Sequence, residues 1–166
     1  MLTRMSQQKR VPALVVSGFL GSGKTTLVRH LLADAQRRGR RAAVVSNEFG
    51  ELGIDGALLN RAGEDYVELS GGCVCCRLSD ELVETLQMLR ERADPDLVII
   101  ETSGVALPFD VQLNFWREPI SEWIETDVVV VVVDAEQLAE GRDLDGTFAQ
   151  QVSSADLLLL NKLDRV

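Results

Sequence analysis

The octet Gly18-Phe19-Leu20-Gly21-Ser22-Gly23-Lys24-Thr25 constrains this chain most, because G-x-x-x-x-G-K-[ST] works only between a strand and a helix. The apolar run Val11 to Ser17 ahead of it reads as a buried strand. Behind it, Thr26-Leu27-Val28-Arg29-His30-Leu31-Leu32 spaces its apolar residues as a helix does. In that setting Gly18, Gly21 and Gly23 let the backbone curl, so that the N–H groups around Ser22, Lys24, Thr25 and Thr26 point inward at phosphate oxygens. The helix N-terminus adds its partial positive charge. Lys24 would reach the β- and γ-phosphates, and the Thr25 hydroxyl would bind Mg²⁺.

Beyond this unit the sequence keeps alternating between strand and helix. Strands are expected near Leu14 to Ser17, Ala42 to Ser46, Tyr66 to Leu69, Leu97 to Glu101, Val128 to Val133 and Leu157 to Leu160. The run of valines from 128 to 133, bounded by Asp127 and Asp134, is too short to cross a bilayer and fits a strand buried on both faces. A helix should begin near Ser79, with Asp80 and Glu81 in its first turn and Leu82, Val83, Leu86 and Leu89 as its apolar stripe. Pro95 closes that region, while Pro108 and Pro119 mark a longer, less regular stretch around Phe109 to Trp123. The expectation is an α/β P-loop NTPase fold, a mostly parallel sheet with helices on both faces. With 166 residues, 46% of them apolar, the chain fits one such domain over residues 11–166, preceded by a polar arm at residues 1–10.

Sheets of this kind bind ligands at the carboxyl ends of their strands, and the chemistry-bearing residues fall there. Asn161-Lys162-Leu163-Asp164 follows the last strand and has the N-K-x-D pattern of GTP-binding proteins. A carboxylate at 164 can accept from both N1–H and the exocyclic amine of guanine, which adenine does not offer. Asn161 would fix the base and the phosphate loop, and the Lys162 stem would cover the base face. Glu101 ends the fourth strand, where it can hold Mg²⁺ directly or through water. The Gly104 N–H just beyond can approach a γ-phosphate, so loss of that phosphate would release the loop.

All three cysteines lie within Gly72-Cys73-Val74-Cys75-Cys76. In a reducing cytosol this spacing favours metal over a disulfide. Two or three of Cys73, Cys75 and Cys76 would bind Zn²⁺ or Co²⁺ with a ligand from elsewhere completing the tetrahedron. Packing under a loop and a redox pair are the competing readings. Glu48, Glu51 and Asp55 follow the second strand, where a nucleotide-sensitive switch belongs. Their spacing does not divide among them the tasks of binding Mg²⁺ through water, orienting the attacking water and ligating the thiolate-bound metal. Glu48 is the catalytic candidate beside Lys24 and Glu101, and Glu51 is the candidate outside ligand.

A formal net charge of −9 argues against nucleic-acid binding, which needs clustered cations. The basic run Arg37-Arg38-Gly39-Arg40-Arg41 reads instead as a solvated helix end, with Gly39 suited to a left-handed cap. Residues 1–10 lack the apolar stretch of a secretory signal, and no membrane segment is seen, so a cytoplasmic protein is expected. His30 reads as a packing or surface residue, and Trp116 and Trp123 as core or lid packing.

Taken together, Gly18 to Leu27, Asn47-Glu48-Phe49-Gly50-Glu51, Gly72 to Cys76, Glu101-Thr102-Ser103-Gly104 and Asn161 to Asp164 closely resemble the CobW-like family of P-loop GTPases. That metallochaperone group includes nitrile hydratase activators and zinc-related GTPases. The cysteine element sets the chain apart from the related GTPases that mature urease and hydrogenase. The resemblance implies GTP hydrolysis coupled to binding or delivery of a transition metal, often zinc or cobalt, to a client metalloprotein. A nucleotide-dependent homodimer stays open. Rival readings are a maturation GTPase for a nickel enzyme and a non-catalytic zinc-responsive module whose partner binding is set by nucleotide. Some relatives carry an acid where Ser46 stands, which weakens a metal-ligand role there. The family pattern also continues into more sheet, a further base-contacting loop and a C-terminal domain. The chain is therefore expected to be the N-terminal portion, truncated after the guanine-specificity loop.

Overall fold

The computed structural model describes residues 9–46, 66–68, 77–142 and 146–166. In chain order the elements are β1 (Val11–Ser17), α1 (Lys24–Arg37), β2 (Ala42–Ser46), β3 (Tyr66–Glu68), α2 (Arg77–Ala93), β4 (Leu97–Glu101), α3 (Pro108–Phe115), β5 (Ile124–Asp134), α4 (Ala135–Glu140), α5 (Gly146–Ser153) and β6 (Leu157–Asn161). Short 3-10 turns lie at Ile120–Glu122 and Leu163–Arg165.

The strands form one sheet in the order β3-β2-β4-β1-β5-β6, and every neighbouring pair is parallel. Alternate side chains of β1, β2, β4 and β5 therefore feed two cores. Val11, Ala13 and Val15 of β1, Val98 and Ile100 of β4, and Val129, Val131 and Val133 of β5 meet Leu82, Leu86 and Leu89 of α2 on one face. Phe115 and Trp123 join that core, with Phe148 and Val152 of α5 packed against it. On the other face Val16, Val44, Ile99 and Val132 meet Val28 and Leu32 of α1. Strands covered on both sides explain why β1, β4 and most of the valine run carry no polar alternation.

Several expectations shift. The stretch near Phe109 is a helix, α3, because Pro108 occupies its first turn, where a missing N–H costs nothing. β5 begins at Ile124 rather than Val128, adding Glu125, Thr126 and Asp127 to the strand. Helix α2 starts at Arg77 rather than near Ser79. Trp123 is core, but Trp116 is 64% exposed, so the expected packing holds for only one tryptophan. Trp116 forms a T-shaped ring pair with Phe109, with ring centroids 6.3 Å apart. His30 lies on the exposed side of α1.

The amino ends of β1, β2 and β4 are tied by charge. Lys9 donates to Asp96 at 2.5 Å, Arg41 pairs with Asp94 at 3.0 Å, and Arg90 pairs with Asp94 at 2.9 Å. The Lys9 hydrogen bond, with the Arg41 backbone N–H second, holds the Asp96 carboxyl down to about 2. Arg37 and Arg38 both reach Asp34 one turn back. The basic run is thus largely paired within the domain.

Candidate functional site

The parallel order brings the carboxyl ends of the strands to one edge. Ser46 pairs with Glu101 and with Glu68, and Val16 pairs with Glu101. β1 lies between β4 and β5, the strands next to it on either side, and the chain reverses its direction of travel across the sheet there. Such a switch point opens the crevice where ligands bind.

The loop between β1 and α1 fills that crevice. Gly18 and Gly21 have φ of +138° and +75°. Gly23 has φ +110°, and a Cβ placed on it would fall 2.3 Å from Asn161 Nδ2. Only glycine meets both conditions. Ser22 N–H closes a turn on the Phe19 carbonyl at 3.2 Å, and α1 starts immediately after at Lys24. Lys24 is 4% exposed and folds its ammonium back to donate to the Phe19 carbonyl at 3.2 Å. Thr26, one residue beyond the loop, is exposed.

From β4, Glu101 meets the first turn of α1. Thr25 Oγ1 donates to Glu101 Oε1 at 2.5 Å, and Glu101 is 2% exposed. A hydroxyl and a carboxylate placed together at the mouth of a phosphate loop are hard oxygen donors of the type Mg²⁺ takes. A further observation fits a bound phosphate ligand. Among the described residues, the buried hydroxyls of Ser17, Ser22 and Ser103 have no hydrogen-bond partner, and buried polar groups are ordinarily satisfied. Gly104 closes the side of the loop: a Cβ there would lie 2.8 Å from the Leu20 nitrogen.

From β6, Asn161 Nδ2 donates to the Ser22 carbonyl at 2.8 Å, and Lys162 N–H donates to Asn161 Oδ1 at 2.9 Å. Lys162 adopts a left-handed backbone, φ +59°, and leads into the turn holding Asp164. Its ammonium donates to Asp134 Oδ2 at 2.6 Å. Asp134 was not singled out by sequence reasoning. It ends the valine strand and caps α4 by accepting from Glu136 and Gln137 N–H. The Lys162 hydrogen bond first, and those two N–H groups after it, hold its carboxyl below the usual carboxylate range although burial works the other way. Its position at a strand's carboxyl end was the available signal.

Lys24, Thr25, Glu101, Gly104 and Asn161 are thereby brought around one loop. Cys73, Cys75, Cys76, Glu48, Glu51 and Asp55 lie outside the described residues. Among the described residues no three His, Cys, Asp or Glu side chains gather as metal ligands. No helix among them is long and apolar enough to cross a membrane.

The glycine loop at the start of α1, the Thr25–Glu101 pair and the Asn161 brace define a P-loop nucleotide-binding domain. The family described as CobW/HypB/UreG, nucleotide-binding domain, matches residues 12–166, and the chain belongs to that CobW-like P-loop GTPase family. It is 38% identical over 195 aligned residues to the zinc chaperone CobW of Sinorhizobium sp, covering 100% of this chain and 54% of that protein. It is 34% identical to the zinc-regulated GTPase metalloprotein activator 1 of Schizosaccharomyces pombe, covering 94% of this chain and 40% of the relative. The crystal structure of Zn(II)-bound YjiA GTPase from E. coli superposes with a TM-score of 0.65 at 27% identity, over 95% of this chain and 51% of that one. The chain spans about half the length of the curated relatives it matches.

Proposed function

We propose that this chain is the GTPase domain of a metallochaperone, coupling Mg·GTP binding and hydrolysis to binding or delivery of a transition metal, zinc or cobalt. The observation that carries the nucleotide reading is the Asn161 bond to the Ser22 carbonyl at 2.8 Å. It fastens the end of β6, from which the loop carrying Asp164 leaves, to the phosphate loop, so that one nucleotide spans both.

On this reading Gly18, Gly21, Ser22, Gly23 and Thr26 line the phosphates, and Gly104 faces the third. Lys24 leaves the Phe19 carbonyl to sit between the β- and γ-phosphates. Thr25 and Glu101 hold Mg²⁺, which when bound offsets the charge gathering on the phosphate oxygens. Asp164 accepts the guanine N1–H and amine, Asn161 and Lys162 frame the base, and Glu48 orients water. Water adds to the γ-phosphorus as the bond to the β–γ bridging oxygen breaks, giving GDP and phosphate. Cys73, Cys75 and Cys76, with Glu51 as the outside oxygen, take the cargo metal, since three thiols suit Zn²⁺ and Co²⁺. The names of the relatives, zinc chaperone and zinc-regulated GTPase, support zinc. A client metalloprotein receives the metal in the cytoplasm, and a nucleotide-dependent homodimer is one form the loaded state would take.

Single-turnover hydrolysis by the full-length protein tests this. GTP should be cleaved in preference to ATP, and cleavage should rise with Zn²⁺, Co²⁺ or a client. Equal handling of GTP and ATP, or tight GTP binding with no cleavage under any of these conditions, overturns it.

A further inference from the structure

Helix α5 carries a polar side chain with no exposure at all. Gln151 is 0% exposed and sits on the side of α5 whose neighbours Phe148 and Val152 pack against the core. Burying an amide in such a place is unfavourable unless its groups are paired. Both of its N–H groups are: Nε2 donates to the Gly104 carbonyl and to the Ala106 carbonyl, each at 3.0 Å. Its Oε1 is buried without a partner among the described residues.

The two acceptors flank Val105, and the first belongs to the residue that touches the phosphate loop. Gly104 is thus held on two sides. The Leu20 backbone lies against its α-carbon, and Gln151 takes its carbonyl. A peptide gripped by its carbonyl has its next N–H direction fixed as well, because the unit is planar. Ala106 N–H, in turn, closes a turn on the Ser103 carbonyl at 3.2 Å, so hydrogen bonds tie Gln151 to the whole segment from Ser103 to Ala106.

The same part of the chain braces the loop from the other side. Shortly past Gln151 the chain enters β6 at Leu157, and that strand ends at Asn161, the donor to the Ser22 carbonyl. One helix-strand unit, residues 146–161, therefore reaches both flanks of the phosphate loop: the β4 flank through Gln151 and Gly104, the β6 flank through Asn161.

We propose that Gln151 is a positioning residue that sets the Gly104 loop for the third phosphate and makes α5 respond to its presence. This rests on the GTPase reading above. A γ-phosphate that draws on the Gly104 segment must either keep the two Gln151 bonds or break them, and breaking them leaves a second buried atom of the amide unpaired. Gln151 thus favours discrete loop positions over gradual drift.

The test uses the full-length protein with Gln151→Met, which keeps length and volume and removes both donors. Equilibrium affinities for Mg·GDP and for a non-hydrolysable GTP analogue are measured side by side with the thermal midpoint. The expected result is a GDP affinity within about twofold of wild type. Analogue affinity should fall on the order of 10-fold, the worth of one to two hydrogen bonds. Equal loss for both nucleotides marks Gln151 as merely structural and overturns the proposal, as does no loss for either. Should the variant fail to fold, wild-type amide hydrogen exchange decides. Residues 146–153 should exchange more slowly with the analogue than with GDP, and identical exchange overturns the proposal. Wild-type protein that binds neither guanine nucleotide defeats the GTPase reading itself. Wild-type binding with an indifferent Gln151→Met variant defeats only this inference.

Discussion

Gly23 shows how one residue can serve two demands. Its φ of +110° belongs to the phosphate loop, and its missing Cβ makes room for the Asn161 amide. Gly23→Ala should therefore add backbone strain of about 1–3 kcal/mol and displace Asn161 from the Ser22 carbonyl. Guanine nucleotide affinity should drop at least about 10-fold, and Asn161→Ala added to it should cost little more, since neighbours sharing one interaction are not additive. Isothermal titration of both single variants and the double variant measures this. At the base end, Asp164→Asn should weaken GTP and relatively favour xanthine nucleotide, which presents a carbonyl where guanine has its amine. Sites that read polar groups discriminate by up to about 10⁴. Competition between GTP and XTP reads the switch, and an unchanged GTP preference removes Asp164 from the base site.

The elements differ in how plainly they show in the chain. β1, β2, β4 and α1 were legible because apolar runs and the glycine octet leave one arrangement open. α3 was hidden by Pro108, a breaker inside a helix but compatible with its first turn. The start of β5 was hidden by Glu125, Thr126 and Asp127, which read as loop until the pairing of Ile124 with Val11 and of Asp127 with Ala13, across an irregularity in the register, is known. Lys24, Thr25, Glu101 and Asn161 were legible from motif spacing. Asp134 and Gln151 were not, because a buried polar residue carries no periodicity; only its partners across the fold reveal it. The paired amino ends of the strands supply an acid test. Asp96 is held at about 2, below the ordinary carboxylate value near 3.9. Its bond to Lys9 therefore contributes stability that is fully present above about pH 4 and fades as pH falls toward 2. Asp96→Asn should be less stable than wild type at pH 7, with the gap narrowing by pH 3. Urea unfolding at the two pH values reports it.

At the scale of the whole molecule, the proposed coupling of metal and nucleotide rests on the shared carboxyl edge, where β2 ends in register with Glu101 of β4 and β3 ends in register with Ser46 of β2. Zn²⁺ or Co²⁺ should bind the full-length protein more tightly with Mg·GTP than with Mg·GDP, and by reciprocity tighten GTP by the same factor, roughly 5- to 150-fold. Metal titration in both nucleotide states checks it, with Cys75→Ser/Cys76→Ser expected to abolish the coupling while sparing metal-free GTP binding. The Asn161–Ser22 bond has a consequence of another kind. It joins residues 139 apart in the chain. A ribosome adding about 5–20 residues per second makes the octet roughly 7–28 s before it makes Asn161. During that interval the nascent glycine loop lacks its brace. On the proposed reading, nucleotide begins to stabilise the growing polypeptide only once β6 has joined the sheet and Asn161 has reached the Ser22 carbonyl.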